Sequence, residues 1–266
     1  MRGPDGREIH RAFEGPWDTW ASSARHMAAF HKEDQAYFAT NPGEDFVDID
    51  ESAGLRLYKF KYKTAAPKLL SQIAADVMCN QRAALDQAAY VCAVASGKTA
   101  PRNTHFPFGE TQQDALGLRG KGKSSDIPLE VFDAMTLFQP WRDGNLLLWA
   151  MNKLTNAHKH RLTVTGTGSA IHGMEAAMRR HRLGFHWSSE AMMPKWDMVE
   201  NELTWASVPL SDNEKRRPQL QLFVSFAEPA ELSRQPALAA MNSMGETVTR
   251  ILMAVEDKAL AIGLLR

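Results

Sequence analysis

The sequence predicts an α+β protein in which long helices pack with an antiparallel β-sheet. Apolar residues recur at helical spacing in two long stretches, 67–97 and 238–262. Apolar and polar residues alternate, as they do in strands, in 46–63 and in parts of 162–227. Because the strands bracket the helices and do not alternate with them, an antiparallel sheet is expected and a parallel one is not.

The composition is that of an ordinary folded protein, with 266 residues of which 44% are hydrophobic. We predict one α+β domain over 1–266, with a motif-bearing helical core at 65–165. Lys+Arg and Asp+Glu both number 31, so nucleic acid would need a local basic patch. No stretch approaches the roughly 20 apolar residues of a membrane helix, and the first residues lack an apolar signal region. We therefore expect a cytoplasmic protein with no membrane association.

The first part of the chain predicts a helix followed by a hairpin. Apolar residues from Trp17 to His31 recur every three or four positions, which indicates an amphipathic helix that ends near Asn41. Runs at 46–50 and 55–63 flank a short turn and predict a β-hairpin. In the second run aromatic residues alternate with lysines, which favours a buried aromatic face with a solvated basic back. Base stacking on the aromatic face is the less favoured alternative.

The rest of the chain predicts four helices, a loop and several strands. A long buried helix begins at Pro67 and ends at Gly97, and residues 98–127 lack periodicity and predict a long loop. Periodic stretches then return as two helices at 129–138 and 145–161, strands within 162–227, and a final helix at 238–262. We expect these strands to complete the sheet of the hairpin.

Residues 117–124 match the phosphate-loop pattern G-x-x-x-x-G-K-[ST]. In that motif backbone N–H groups and the lysine surround a phosphate, and the hydroxyl binds Mg²⁺. A working phosphate loop follows a buried strand and leads directly into a helix. Here residues 111–115 are polar and Pro128 delays the next helix. We interpret the segment as a flexible basic loop, with NTP binding as a distant alternative.

Patterns for metal or nucleophilic chemistry are weak. His158 and His160 lie two apart on a predicted helix and point about 200° away from each other. No HExxH, CxxC or GxSxG is present. Cys79 and Cys92 lie on or beside an apolar stripe, which indicates inert buried thiols. We therefore predict no metal site and no cofactor.

The first of two polar helical segments is 79–87, with the sequence CNQRAALDQ. Arg82 and Asp86 stand one helical turn apart and can pair, which contributes about 0.3–0.5 kcal/mol if the pair is exposed. The candidate binding residues in this segment are Asn80, Arg82, Asp86 and Gln87.

The second polar segment is 152–161, in which Asn152, Asn156 and His160 are spaced by four and form a polar stripe. Each asparagine costs about 0.5 kcal/mol in a helix, so compensating hydrogen bonds are expected. We expect the two segments to pack together, with Asp86 or Gln87 bonded to the stripe. Three interpretations stay open: a buried structural network, a ligand or catalytic site, and a solvated face. The candidate binding residues here are Asn152, Asn156, His158 and His160.

Four short motifs resemble a group of largely uncharacterised bacterial and phage-associated proteins. They are NQRAALD at 80–86, HFP at 105–107, FQP at 138–140 and NAHKHR at 156–161. The features of that group are an N-L-R-S-A-L-D-H helix, F-P and Q-P dipeptides and an N-x-x-K-H-R helix end. Their order and spacing agree over residues 65–165.

The first helix of that group is also similar to the motif of the HEPN superfamily, in which an Arg precedes a His by four to six residues. That superfamily comprises small helical ribonucleases and nucleotide-binding domains, so the resemblance implies a HEPN-like helical pair, RNA or nucleotide partners, and a homodimer. Gln87 stands where the motif has its histidine, and an amide cannot transfer a proton near neutral pH. The resemblance therefore implies a noncatalytic binding module for RNA, a nucleotide or a protein partner.

The main alternative is a metal-independent ribonuclease of toxin or defence type. In that case His160 supplies the missing imidazole, and Arg82 and Arg161 are the other catalytic candidates. Positions 82 and 87 are about 140° apart on a straight helix, so such a site must be assembled from more than one helix or across a two-fold axis.

The phosphate-loop interpretation can be tested by calorimetry with ATP and Mg²⁺. We expect no binding, because the polar flanks of 117–124 do not orient its amides toward a phosphate. A micromolar affinity that Lys123→Ala abolishes would show that the segment binds nucleotide.

Overall fold

The computed structural model describes residues 2–158, 165–172, 195–197, 200, 202–211, 219–232 and 235–266. Within these ranges the α-helices are α1 (Glu14–Ala39), α2 (Lys68–Ala95), α3 (Gln112–Leu116), α4 (Leu129–Thr136), α5 (Leu146–His158) and α6 (Ala237–Ala261). The strands are β1 (Gly43–Asp50), β2 (Leu55–Tyr62), β3 (Thr165–His172), β4 (Lys195–Asp197), β5 (Glu202–Pro209) and β6 (Gln219–Phe226). The chain therefore has the predicted α+β fold, with antiparallel strand pairs.

The helices predicted from apolar periodicity are confirmed, and residues 159–161 of the predicted helix 145–161 lie outside the described residues. The short helix α3 lies within 98–127, where the sequence predicts a loop. Pro67, Pro128 and Pro236 stand directly before α2, α4 and α6, where the missing N–H of proline costs no intrahelical hydrogen bond. Helix α2 contacts α1, α5 and α6, and it buries residues from Leu70 to Ala93. The main hydrophobic core lies among these helices. None of the helices in the described ranges is long and apolar enough to cross a bilayer.

The described strands form two sheets, and not the single sheet that the sequence predicts. Strands β1, β2, β5 and β4 are neighbours in that order, whereas β3 pairs with β6. Val224 and Phe226 of β6 are buried in the core among the helices. Leu222 on the same strand packs against the aromatic cluster of the larger sheet.

The two faces of β2 differ as predicted. Tyr58, Phe60 and Tyr62 are buried in a second apolar cluster that includes Trp205 of β5. On the opposite face, the Nζ atom of Lys59 lies 2.8 Å from the Asp48 carboxylate on β1. The aromatic residues are thus core residues, which argues against base stacking on this face.

The N-terminal segment is attached to α6 by one buried carboxylate. Glu256 is 1% exposed and accepts hydrogen bonds from the His10 N–H at 2.7 Å and the Trp17 indole N–H at 3.2 Å. Its other contact is Arg7, at 3.5 Å, while Asp257 pairs with Arg7 from the exposed side at 2.6 Å. Loss of Glu256 would leave several donors unpaired at once.

We expect Glu256→Ala to lower the free energy of unfolding by about 3 kcal/mol, because buried donors and a partly buried arginine lose their acceptor. The matched control is Asp257→Ala, which removes an exposed partner of the same arginine and should cost about 0–1 kcal/mol. Urea denaturation measures both values. Equal losses for the two variants would contradict the assigned role of Glu256.

Candidate functional site

Arg82 joins the two helices that carry the sequence motifs. Its Nη1 atom donates to the Asn156 side-chain oxygen at 2.6 Å and to the Thr155 hydroxyl at 2.9 Å. Arg82 lies on α2, while Thr155 and Asn156 lie on α5. The predicted packing of these two segments is confirmed, and the bond to the polar stripe comes from the arginine.

Asp86 and the loop at 105–108 enclose the Arg82 guanidinium from another side. Asp86 accepts the N–H of Phe106 at 2.8 Å, and its carboxylate lies 3.9 Å from Nε of Arg82. The Cζ atom of Arg82 lies 5.5 Å from the centre of the Phe108 ring, within the range of a cation–π contact. Only 16% of the Arg82 side chain is exposed. The guanidinium is therefore held by groups from three chain segments.

The two asparagines on α5 form a short amide ladder. The Asn156 side-chain NH₂ donates to the Asn152 side-chain oxygen at 3.2 Å, which leaves the Asn156 oxygen to accept from Arg82. Thr155 is buried, and its hydroxyl lies within hydrogen-bond distance of the Met151 and Asn152 carbonyls. The cost of asparagine in a helix is thus offset by hydrogen bonds, as the sequence predicts.

Thr155 was not among the predicted site residues. Its hydroxyl uses both its donor and its acceptor capacity, since it donates within α5 and accepts from Arg82. A threonine between two helical residues carries no functional signal in the sequence. Its place one position before Asn156, on the side of α5 that meets α2, is visible only in the packed structure.

The remaining predicted residues are not all part of this cluster. Gln87 is exposed and accepts a hydrogen bond from the Thr19 hydroxyl of α1 at 2.8 Å. The sequence predicts that Asp86 or Gln87 bonds to the α5 stripe, whereas the described hydrogen bonds of the two residues join them to Phe106 and to α1. Asn80 is half-buried on α2. His158 is the last residue of α5, and its side chain, like His160 and Arg161, lies outside the described residues.

A second polar cluster on α5 surrounds Trp149. Its indole N–H donates to Glu110 at 2.8 Å, and Glu110 also pairs with Lys153. The hydrogen bond from Lys153, assisted by that from Trp149, lowers the pKa of Glu110 below its ordinary value. Arg142 lies 5.3 Å from the Trp149 ring and pairs with Glu231 at 2.6 Å. The cations of this cluster are thus neutralised by carboxylates of the chain itself.

The segment that resembles a phosphate loop has a different geometry. Gly117 caps the short helix α3, so a helix precedes the segment where a strand is required. Ser124 is fully buried and donates to the His105 carbonyl at 2.8 Å, which removes its hydroxyl from the reach of Mg²⁺. The N–H of Lys123 donates to Leu118 within the segment. The segment folds back on itself, and Ser124 is its one buried residue.

This packing gives residues 117–124 a structural role at the candidate site. Ser124 fixes the carbonyl of His105, and the next residue, Phe106, donates its N–H to Asp86. The His105 side chain is exposed beside this bond. The glycine- and lysine-rich segment therefore supports the loop that closes over Arg82.

The described residues include no group of three or more potential metal ligands. Burial raises the pKa of the Cys92 thiol to about 12, which makes its nucleophilic thiolate form rare. Cys79 is half-buried on the same helix. The thiol interpretation from the sequence agrees with this geometry for Cys92.

No protein-family model matches the chain, and neither the curated proteins nor the solved structures give a significant match. The resemblance of residues 65–165 to the bacterial and phage-associated group, and that of the helix at 80–87 to HEPN proteins, therefore stay predictions. Functional inference depends on the geometry around Arg82.

We expect Arg82→Ala to lower the free energy of unfolding by about 1.5–3 kcal/mol. The substitution removes the charged hydrogen bonds of a largely buried side chain and leaves the Asn156 side-chain oxygen without its donor. A double-mutant cycle with Asn156→Ala should give a coupling energy above about 0.5 kcal/mol. Gln87→Ala is the control on the same helix and should change stability by about 0.5 kcal/mol or less. Additive effects of the Arg82 and Asn156 substitutions would show that their contact contributes no stability.

Proposed function

We propose that this chain is a noncatalytic binding module whose ligand is RNA or a nucleotide. One observation carries the proposal: the motif arginine is bonded to Asn156 and Thr155, while Gln87, at the histidine position of the motif, is bonded to Thr19 on α1. Arg82 and Gln87, the two positions that would form a nuclease motif, thus contact different helices.

The groups bonded to Arg82 suit binding better than proton transfer. The Thr155 hydroxyl and the Asn156 amide can donate and accept hydrogen bonds, but neither titrates near neutral pH and so neither can act as a general acid or base. Arg82 is also shielded, with 16% of its side chain exposed. Its contacts support a rigid platform in which α2 and α5 keep one relative position.

The basic end of the second motif supplies the attraction for phosphate. His158, Lys159, His160 and Arg161 follow Asn156 directly in the sequence, with no acidic residue among them. Such a cluster is the local patch that a chain of zero net charge needs for an anionic ligand. Asn156, exposed at the start of this stretch, offers a hydrogen-bonding group beside it.

A metal-independent ribonuclease is the second candidate, because the Arg82–Asn156 contact brings the motif arginine to the helix whose sequence continues toward His160. His160 follows Asn156 by four residues in the sequence, and Arg161 is adjacent. An imidazole near a guanidinium is able to move the proton of a 2′-hydroxyl without a metal. Under this proposal Arg82, His160 and Arg161 would be the catalytic residues.

Fluorescence-labelled single-stranded RNA, incubated with the protein in EDTA, tests both candidates. We expect binding without cleavage, with an affinity that falls as salt rises because lysine and arginine displace counterions. The double variant Lys159→Ala, Arg161→Ala should weaken binding at least about tenfold. Lys258→Ala, an exposed lysine at the end of α6, is the matched control and should leave the affinity unchanged.

Cleavage by the unmodified chain that His160→Ala reduces by about 10²–10⁴ would establish the ribonuclease and refute the noncatalytic proposal. Gln87→His tests whether a histidine at the position of the motif can reach Arg82. Its imidazole would stand beside Thr19 and not beside Arg82, so we expect it to create no cleavage. An affinity for RNA that does not depend on salt would also count against phosphate recognition.

A further inference from the structure

Strand β1 is an edge of the four-stranded sheet. It pairs with β2 along its whole length, from Gly43 opposite Tyr62 to Asp50 opposite Leu55. Among the described residues no strand pairs with its other side. An open edge presents backbone N–H and C=O groups to which another extended segment can pair.

Two hydrogen bonds show which residues of β1 face outward. The Pro42 carbonyl accepts the N–H of Lys63, the residue after β2, so even-numbered positions here face β2. The N–H of Ile49 donates to the Asp48 side chain, as expected for an odd-numbered position that faces away from β2. The backbone groups of Asp45 and Val47 therefore point to the open side.

The side chains on this edge combine apolar surface with negative charge. Val47 is 44% exposed and Ile49 is 56% exposed, so this edge offers apolar surface to a partner. The strand GEDFVDID has four acidic residues and no basic one. Lys59 and Lys63 pair with Asp48 and Glu44, but no described cation pairs with the exposed Asp45.

From these features we propose that the β1 edge is the docking site for an extended basic segment of a partner protein. The segment adds as a further strand, with its backbone paired to Asp45 and Val47. Its apolar side chains cover Val47 and Ile49, and its lysine or arginine side chains meet the carboxylates of β1. A second copy of β1 is a poor occupant, since pairing it there would place acidic residues opposite acidic residues.

The full-length protein is titrated into a fluorescein-labelled extended peptide of about nine residues, enough to span β1. The peptide has valines opposite Val47 and Ile49, and lysines opposite Asp45 and on the other face. We expect binding by anisotropy, and at least about tenfold weaker binding of a peptide in which glutamate replaces lysine. Val47→Pro removes one outward N–H without touching the ladder to β2, and should weaken binding at least about tenfold. Val47→Thr keeps the N–H and is the matched control.

Asp45→Lys is a second variant that leaves the backbone intact, and it should weaken the lysine peptide and strengthen the glutamate peptide. Circular dichroism verifies that each variant is folded. Equal binding of both peptides, or binding unchanged in folded Val47→Pro and Asp45→Lys, would overturn the proposal. A dimer of the natural chain in sedimentation that Val47→Pro dissociates would also overturn it, because the edge would then hold a second copy.

Discussion

The burial of helix α2 is the constraint on which most of the structure depends. Apolar residues along nearly its whole length lie in the core, and its neighbours include α1, α5 and α6. A polar side chain on such a helix must find a partner, since an unpaired buried group costs about 1–3 kcal/mol. Four polar residues of α2 consequently act as connectors. Each of these four contacts a different part of the chain.

Four residues in two turns of α2 show this division. Gln81 is fully buried and donates to the Met241 carbonyl of α6, beside Gly245, where an added Cβ would lie 3.0 Å from the amide nitrogen. Arg82 binds α5, Asp86 binds the backbone of Phe106, and Gln87 accepts from α1. The motif that resembles a nuclease helix therefore has a sufficient explanation in packing. Any ligand chemistry has to use residues that this packing leaves accessible.

Local patterns were enough to predict the longer helices and the hairpin, because a stripe of apolar residues on α2 or α6 is a property of consecutive positions. The five-residue helix α3 is too short to show such a stripe and was not predicted. The division of strands between two sheets could not be predicted in this way. Alternation of apolar and polar residues on β6 specifies the two faces of the strand but not the strand with which it pairs. In the structure Val224 and Phe226 are buried in the core among the helices.

The candidate site was predictable in part for the same reason. Arg82 and Asn156 were recognised by their spacing on separate helices, but Thr155 has no pattern of its own. The Glu110–Trp149 bond spans 39 positions in the sequence and is invisible to any local window. For residues 117–124 the local pattern is present but the phosphate-loop geometry is not. The Ser124 hydroxyl, which would bind Mg²⁺ in such a loop, is buried and donates to the His105 carbonyl.

The zero net charge of the chain conceals local differences in charge. On strand β1 the exposed Asp45 has no cation partner among the described residues, while the sequence from His158 to Arg161 has basic residues only. Screening at physiological salt limits electrostatic reach to about 8 Å, so a ligand responds to the nearest cluster and not to the total. A polyanion and a basic peptide can therefore be attracted to the same chain at different places. For this reason a neutral composition argues against a global field and leaves both proposed contacts physically reasonable.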